Sequence, residues 1–242
     1  MMENGYEPDV LGILSILELH AEPLGSGLLS QLLAEQGNEL SEATVGRILS
    51  SMDRQKLTRK IGYQGRVITD EGRSKLEQLQ SLKQRITYGS RFIETLGSRK
   101  KEDIIDILVA RRAIERELAR LAAQRATEAE IQQINEVLQE QKLYTEEQKL
   151  TAEHDAKFHK LLAKVSKNRV LAAASDLIRN DEQLSPILNY VRMKVGDRLT
   201  LDHASIFRAI QAQDPDQAEQ AMADHVQNII QFVEEYWSHV MK

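Results

Sequence analysis

The N-terminal part of the chain shows three short apolar segments separated by polar turns. Apolar residues recur at helical spacing in each segment, which predicts helices over Val10–His20, Ser26–Gln36 and Glu42–Lys56. Gly37 follows the second segment as a helix-ending residue, and Ser41 precedes the third as a good N-cap. The pattern therefore predicts two helices, a turn and a third helix whose first turn is polar.

A short hairpin follows the third predicted helix. Leu57–Ile61 and Arg66–Ile68 are typical of short strands, and the tip between them is bracketed by Gly62 and Gly65. This order of elements is that of a winged helix-turn-helix, in which the third helix enters the DNA major groove. Thr69 is expected to cap one further helix.

The C-terminal part is almost wholly helical by pattern. From Glu102 onward, apolar residues recur at three- and four-residue spacings, and Thr127-x-x-Glu130 is a capping box. Later helices are predicted over residues 151–165, 168–179, 186–195, 200–213 and 215 to the end. Tyr88-Gly89-Ser90 breaks the pattern before them. We therefore expect a mainly α protein: a winged helix in residues 1–88, a linker in 89–102, and a bundle of six or seven helices in 103–242.

The amino-acid composition limits the possible metal ligands and the possible location of the protein. The 242 residues include no cysteine, so a metal site must use imidazole and carboxylate ligands. No apolar run approaches the roughly 20 residues that span a bilayer, and the first residues lack the basic flank of a secretory signal. We therefore expect a cytoplasmic protein without a membrane partner.

Charge favours a nucleic-acid partner for the predicted winged helix. The net charge is −5, but residues 47 to 91 hold eleven basic and four acidic residues. Docking to another protein is the alternative use of such a fold. The predicted contacts to double-stranded operator DNA lie at the start of the third helix and on the hairpin; they are Ser41, Thr44 and Arg47 near the bases, and Lys60, Tyr63 and Arg66 along the backbone and groove wall. One recognition helix per half-site gives modest affinity, so a homodimer reading a palindrome is expected.

Four polar residues of the C-terminal part share a geometry suited to a metal. Asp155 and His159 are four apart and so lie on one helical face. His203 and His225 each lie eleven residues from Asp214, so an antiparallel helix pair bent there brings them to the same height. Three imidazoles and one carboxylate suit zinc, nickel, manganese or iron and leave coordination positions open.

Alternatives to this interpretation concern one ligand and the function of the site. His154 is adjacent to Asp155 and is a candidate substitute ligand. A site with three His and one Asp also activates water, so a metal-dependent hydrolase is one rival function. Glu153, its nearest candidate base, points off the Asp155 and His159 face by helical phase. The other rival is an adaptor with a structural metal; we expect a protein that is not an enzyme.

Residues 103–233 resemble the FCD ligand-binding domain of the FadR branch of the GntR regulator superfamily. The resemblance rests on an ordered series of segments: Arg111-Arg112-Ala113-Ile114-Glu115, Leu121-Ala122-Ala123, Asp155-Ala156-Lys157-Phe158-His159, Asn168, Asp202-His203-x-x-Ile206, Ala209-Ile210, and Asp214-Pro215-x-x-Ala218 leading to Met222-x-x-His225. It implies a transcription regulator with a divalent metal, most readily zinc, at the four polar residues.

The resemblance also implies a small organic acid effector held with the help of a helical arginine. Arg111 matches that arginine best, and Arg112 is the next choice. The competing interpretation is a surface arginine paired with Glu115 one turn later.

The front of the chain resembles a different type of winged helix. Leu40-Ser41-x-x-Thr44-Val45 and Ile68-Thr69-Asp70-Glu71-Gly72-Arg73 are similar to the winged helix at the front of ribonuclease R. The Pro-Ser-x-Arg turn of the usual GntR winged helix is absent, and Glu42 stands in an arginine-like place. We therefore expect an atypical subtype, whose operator rules do not follow from the family.

Overall fold

The computed structural model describes residues 5–20, 22–97, 100–147, 152–179 and 202–240. The chain divides into two compact units, Met1–Phe92 and Ile93–Lys242. Both are dominated by helices, and the strands found in the described residues form one small sheet in the first unit. The predicted class, a winged helix followed by an all-helical domain, is confirmed.

The first unit has the element order of a winged helix. Its elements are α1 (Pro8–Leu19), α2 (Ser26–Glu35), α3 (Glu42–Arg54), β1 (Thr58–Ile61), β2 (Gly65–Ile68) and α4 (Asp70–Leu96). Ser41 caps α3 as predicted, because its Oγ accepts a hydrogen bond from the backbone N–H of Thr44 at 3.2 Å.

Strands β1 and β2 pair antiparallel, with Thr58 opposite Ile68 and Ile61 opposite Gly65. Leu24 adds a short bridge to Arg66 that the pattern did not predict. Gly65 is required there: its φ is +133°, and a Cβ on it would lie 2.2 Å from the carbonyl carbon of Leu24. The bridge ties the hairpin to the segment between α1 and α2.

Apolar faces of α1, α2, α3 and α4 close one core in this unit. Its fully buried members include Ile13, Leu14, Leu29, Val45 and Leu49. Helix α4 runs through the predicted break at Tyr88-Gly89-Ser90 and ends at Leu96. A single glycine costs a helix only about 1 kcal/mol, which the remaining backbone hydrogen bonds offset.

The second unit is a helical bundle. In the described residues its helices are α5 (Lys101–Arg125), α6 (Glu128–Glu146), α7 (Ala152–Val165), α8 (Arg169–Arg179), α9 (residues 202–211) and α10 (Pro215–Val240). The predicted helix over residues 186–195 lies outside the described residues. The Thr127 capping box is present, and the Asp214 side chain accepts from the backbone N–H of Gln217 at 3.0 Å.

Among the described elements, helices α5 and α10 form the most extensive packing contact. One core of the bundle surrounds Phe158, Leu162, Ile206 and Val226, and a second lies around Leu108 and Val233. The first core brings α7, α9 and α10 together, and these helices carry the candidate metal ligands. No helix in the described ranges is long and apolar enough to cross a membrane.

Candidate functional site

The structure brings Asp155, His159, His203 and His225 together inside the second unit. All four are buried, and one ligand atom of each lies within 4.8 Å of those of the other three. Helix α7 supplies the first two, one turn apart. Helices α9 and α10 supply the two histidines on either side of the Asp214 turn, as the equal spacing to that residue requires.

The histidine Nε2 atoms of this cluster make no hydrogen bond. Asp155 Oδ1 lies 3.5 Å from His203 Nε2 and 3.8 Å from His159 Nε2. The Nε2 atoms of His159, His203 and His225 are all buried and lack a hydrogen bond. A buried polar atom without a partner costs about 1 to 3 kcal/mol, so three converging in one place need a common partner. Imidazole nitrogens beside a carboxylate oxygen fit a divalent transition metal.

The opposite ring nitrogens face acceptors on three different helices. His203 Nδ1 lies 2.9 Å from Oε1 of the buried Gln141 on α6. His159 Nδ1 lies 2.9 Å from Glu115 Oε2 on α5, and His225 Nδ1 lies 3.5 Å from Asp202 Oδ2 on α9. The hydrogen bond with Gln141 favours the Nδ1–H tautomer of His203, in which the Nε2 lone pair points to the metal position. The Nδ1 atoms of His159 and His225 approach their carboxylates without making a hydrogen bond.

Two arginines and one glutamate form a charged group beside the histidines, in which Arg111 and Glu115 are buried and Arg179 is 13% exposed. Arg111 Nε donates to Glu115 Oε1 at 2.9 Å, and Arg179 Nη1 lies 2.9 and 3.0 Å from the two carboxylate oxygens of Glu115. Arg179 Nη2 also donates to Asp155 Oδ2 at 2.8 Å. Arg111 is thus paired with Glu115, as the competing interpretation expected, but the pair is buried and next to the cluster rather than on the surface.

Burial and these charges perturb the ionisation of the site. Burial lowers the pKa of His159 to about 4, with the positive charge of Arg179 acting in the same direction. Burial also holds the pKa of His203 well below its usual range. For Glu115, burial raises the pKa, but Arg111 and Arg179 outweigh it and hold the pKa well below the ordinary value. Neutral imidazoles and an ionised carboxylate are the forms that metal binding uses.

The neighbouring candidates lie outside the cluster. His154 is half-buried, with its ring centroid 4.3 Å from that of Tyr144, and does not belong to the converging set. Glu153 is exposed. Arg112 is half-buried and donates a hydrogen bond to Gln227.

Sequence reasoning missed three residues that surround the cluster. Glu115 lies one helical turn after Arg111, and this spacing alone predicts only a surface partner for Arg111. Gln141 and Arg179 carry no spacing signal, because neither stands at a helical interval from a candidate ligand, and only folding brings them to the site.

The predicted DNA contacts on α3 form an exposed hydrogen-bonded series. Ser41 Oγ lies 2.9 Å from Thr44 Oγ1, and Arg47 Nη2 donates to the same Thr44 oxygen at 3.2 Å. Glu42 instead accepts from Ser26 Oγ at 3.1 Å, which ties it to α2. The first turns of α3 therefore present hydroxyls and one arginine.

On the hairpin, the predicted residues have different surroundings. Tyr63 is fully exposed at the tip, and Lys60 is exposed together with Arg59, which sequence reasoning did not single out. Arg66 Nε instead pairs with Asp53 Oδ2 at 2.8 Å, and its side chain is only 16% exposed. The Nε of Arg66 is therefore engaged within the domain, and its contact with a phosphate stays a prediction.

Comparison with known proteins separates the two units. The family model for the FCD domain matches residues 106–228, and the model for the ribonuclease R winged-helix domain matches residues 11–76. The chain is 31% identical over 135 residues to the HTH-type transcriptional regulator LutR of Bacillus subtilis, covering 54% of this chain and 62% of LutR. It is 39% identical over 69 residues to the global nitrogen regulator NrpR of Methanocaldococcus jannaschii, covering 28% of this chain and 13% of NrpR.

Among solved structures, that of E. coli McbR/YncC matches with a TM-score of 0.52 at 15% identity, over 98% of this chain and 100% of that one, which supports the fold. The chain spans less than two thirds of the length of LutR and of NrpR. Since the FCD model alone matches just over half of the residues, the chain belongs to the FCD domain family of GntR/FadR-type regulators.

Proposed function

We propose that this protein is a DNA-binding transcription regulator whose operator affinity is controlled by a small carboxylate effector at a divalent-metal site. The observation that carries the proposal is the buried Asp155, His159, His203 and His225 cluster, within the FCD domain of a chain that begins with a winged helix. The regulator names of its relatives support the DNA-binding part.

The metal is proposed from the donor set. One carboxylate and three imidazoles suit zinc first, and also nickel, manganese or iron, and they leave positions that an oxyanion can take. When bound by these four residues, such an ion would supply a Lewis acid for the effector carboxylate. Among the chain's own residues, Gln141 and Glu115 orient the rings of His203 and His159.

The effector is proposed to be an anion on grounds of charge. Glu115 and Asp155 are matched by Arg111 and Arg179, so these four side chains have no net formal charge. Adding a divalent ion therefore gives this group an excess positive charge, even when the negative charge of Asp202 beside His225 is included. A buried charge needs a partner of opposite sign. A small carboxylate supplies it, with Arg111 as a contact.

The winged helix is proposed to read the operator through α3 and the hairpin. Ser41, Thr44 and Arg47 are the contacts nearest the bases, and Lys60 and Tyr63 contact the backbone and groove wall. Because Arg66 is paired with Asp53, we assign it a positioning role in the hairpin instead.

A homodimer is the proposed working unit, acting on genomic DNA in the cytoplasm. Two winged helices on one palindrome each contribute modest affinity, and two-fold symmetry sets the half-site spacing. The effector changes operator affinity only by as much as it prefers one arrangement of the dimer over the other.

Capture of genomic fragments by the purified full-length protein tests this proposal. We expect a defined set of fragments whose yield changes when zinc and a panel of small carboxylates are added. An otherwise identical protein with Arg47→Ala serves as the control for sequence-selective capture. Failure to enrich any fragment at low or high salt would sink the DNA-binding part.

The same preparation separates the rival functions. A metal-dependent hydrolase turns over esters, amides or phosphates after metal loading and loses turnover in His159→Ala. An adaptor with a structural metal binds no fragment, yet unfolds more easily when a chelator removes the metal.

A further inference from the structure

Arg179 stands out among the arginines near the cluster because it touches a candidate metal ligand directly. Its Nη2 donates to Asp155 Oδ2 at 2.8 Å, whereas Arg111 donates to Glu115. Arg179 is the last residue of α8, and its side chain is 13% exposed. It therefore lies closer to the metal position than the arginine that the sequence singled out.

The contact with Arg179 gives the two carboxylate oxygens of Asp155 different neighbours. Oδ2 is occupied by the guanidinium, and Oδ1 is the oxygen facing His203 Nε2 and His159 Nε2. Asp155 is thus oriented to offer one oxygen rather than two. Four single-atom ligands leave room on a five- or six-coordinate ion for further oxygen donors.

Arg179 also has N–H groups that donate to no acceptor within the described residues. A guanidinium has five N–H groups; in Arg179, Nη1 serves both oxygens of Glu115 and Nη2 serves Asp155. Among the described residues, no acceptor takes Nε–H or the second Nη2–H. The planar fork of a guanidinium matches a carboxylate, and such charge-assisted bonds are about twice as strong as neutral ones.

We propose that Arg179 is a specificity-determining residue of the effector site: it holds Asp155 as a one-oxygen ligand and donates its remaining N–H groups to the carboxylate of the effector. This inference rests on the proposed function, since it needs the metal and a carboxylate at the same site. It predicts that anionic ligands are selected over neutral ligands of the same shape.

Cobalt(II) and acetate are suitable probes, with acetamide as the neutral analogue. The visible spectrum of the Co²⁺-loaded full-length protein reports the ligand set, and its change on titration with acetate gives an affinity. We expect acetate to change the spectrum and acetamide to leave it unchanged at equal concentration.

Arg179→Met should still bind Co²⁺ but lose acetate affinity by roughly 10-fold or more, as expected for a lost charged hydrogen bond. Arg179→Lys, which keeps the charge without the fork, should recover only part of the loss. Arg120→Met is the matched control, because Arg120 pairs with Glu117 and Glu219 away from the cluster and should behave as wild type.

The outcomes separate this inference from the proposed function. If wild type binds acetate and Arg179→Met or Arg179→Lys binds it equally well, the role of Arg179 is overturned and the effector site stands. If Arg179→Met cannot be loaded, Arg179→Lys decides on the same criterion. If acetate does not change the Co²⁺ spectrum of the wild-type protein, the effector site itself is contradicted. If the protein binds acetate but no operator, the DNA-binding part of the proposed function fails and the role of Arg179 is unaffected.

Discussion

Arg66 on β2 and Asp53 on α3 form an ion pair that ties the hairpin to the third helix, with Nε 2.8 Å from Oδ2. Thr58 Oγ1 donates to the other oxygen of Asp53 at 2.6 Å. The carboxylate near the end of α3 therefore holds both strands of the hairpin. The pair is partly shielded from water, so we expect it to matter more than an exposed surface pair.

The first prediction contrasts this arginine with an exposed lysine of the same hairpin. Lys60→Ala should weaken binding to all DNA sequences and reduce the slope of log affinity against log salt by about one unit, because one phosphate contact is lost. Arg66→Ala should leave that slope unchanged and lower the free energy of unfolding by about 1 kcal/mol.

Binding isotherms at several salt concentrations and urea unfolding of each variant test this contrast. Arg208→Ala, an exposed change in the other unit, is the control for both measurements. A smaller salt slope in Arg66→Ala, with unaltered stability, would show that Arg66 contacts phosphate after all.

The second prediction concerns the metal ligands. His203→Ala should remove a donor from the cluster and abolish stoichiometric zinc binding at micromolar concentration, because a site short of one ligand loses both affinity and geometry. His154→Ala is the matched control, since His154 lies next to Asp155 but outside the set. Zinc content after gel filtration and the zinc-dependent rise in melting temperature measure the effect. Loss of zinc binding in His154→Ala, with zinc binding retained in His203→Ala, would show that His154 and not His203 is a ligand.

The third prediction concerns a residue that acts through a ligand. Gln141 Oε1 accepts from His203 Nδ1–H in the tautomer that we assign, so Gln141→Met should lower zinc affinity about 10-fold to 100-fold without changing stoichiometry. Gln141→Glu keeps the acceptor and should recover most of the affinity. Competition with a chromophoric chelator measures both variants, and equal affinities in wild type and Gln141→Met would falsify the assigned role.

The fourth prediction is a loss of stability of the metal-free protein in mild acid. The pKa of His159 is lowered to about 4 in the folded state, from about 6.5 in the unfolded chain, so the unfolded state binds the proton first as pH falls. The free energy of unfolding should therefore be highest above pH 6.5 and fall by about 3 kcal/mol between pH 6.5 and pH 4. The lowered pKa of His203 acts in the same direction.

Urea unfolding of the chelator-treated protein across this range checks the sign and size. His159→Gln removes one titrating group and should flatten part of the fall. A stability that rises towards pH 4 would contradict neutral, buried imidazoles in the folded state.

Local spacing was enough to predict several parts of this protein. Ser41 caps α3, Thr127 opens α6, and Asp155 and His159 share one face of α7, because each relation is set within one or two helical turns. The approach of His203 and His225 also followed from sequence, since both lie the same distance from the Asp214 turn. Local geometry therefore determined the helices, the caps and the candidate ligand set.

Tertiary structure alone decided what surrounds those ligands. Arg179, Gln141 and Glu115 come from three helices far apart in sequence, and no spacing rule relates them to Asp155 or His203. Likewise, Arg66 has the composition of a phosphate contact, but folding places Asp53 beside it. The physical reason is the same in both cases. Whether a charged side chain binds a ligand or pairs with another residue of the protein depends on which side chains lie within hydrogen-bond distance of it. Folding sets those distances, and local sequence does not encode them.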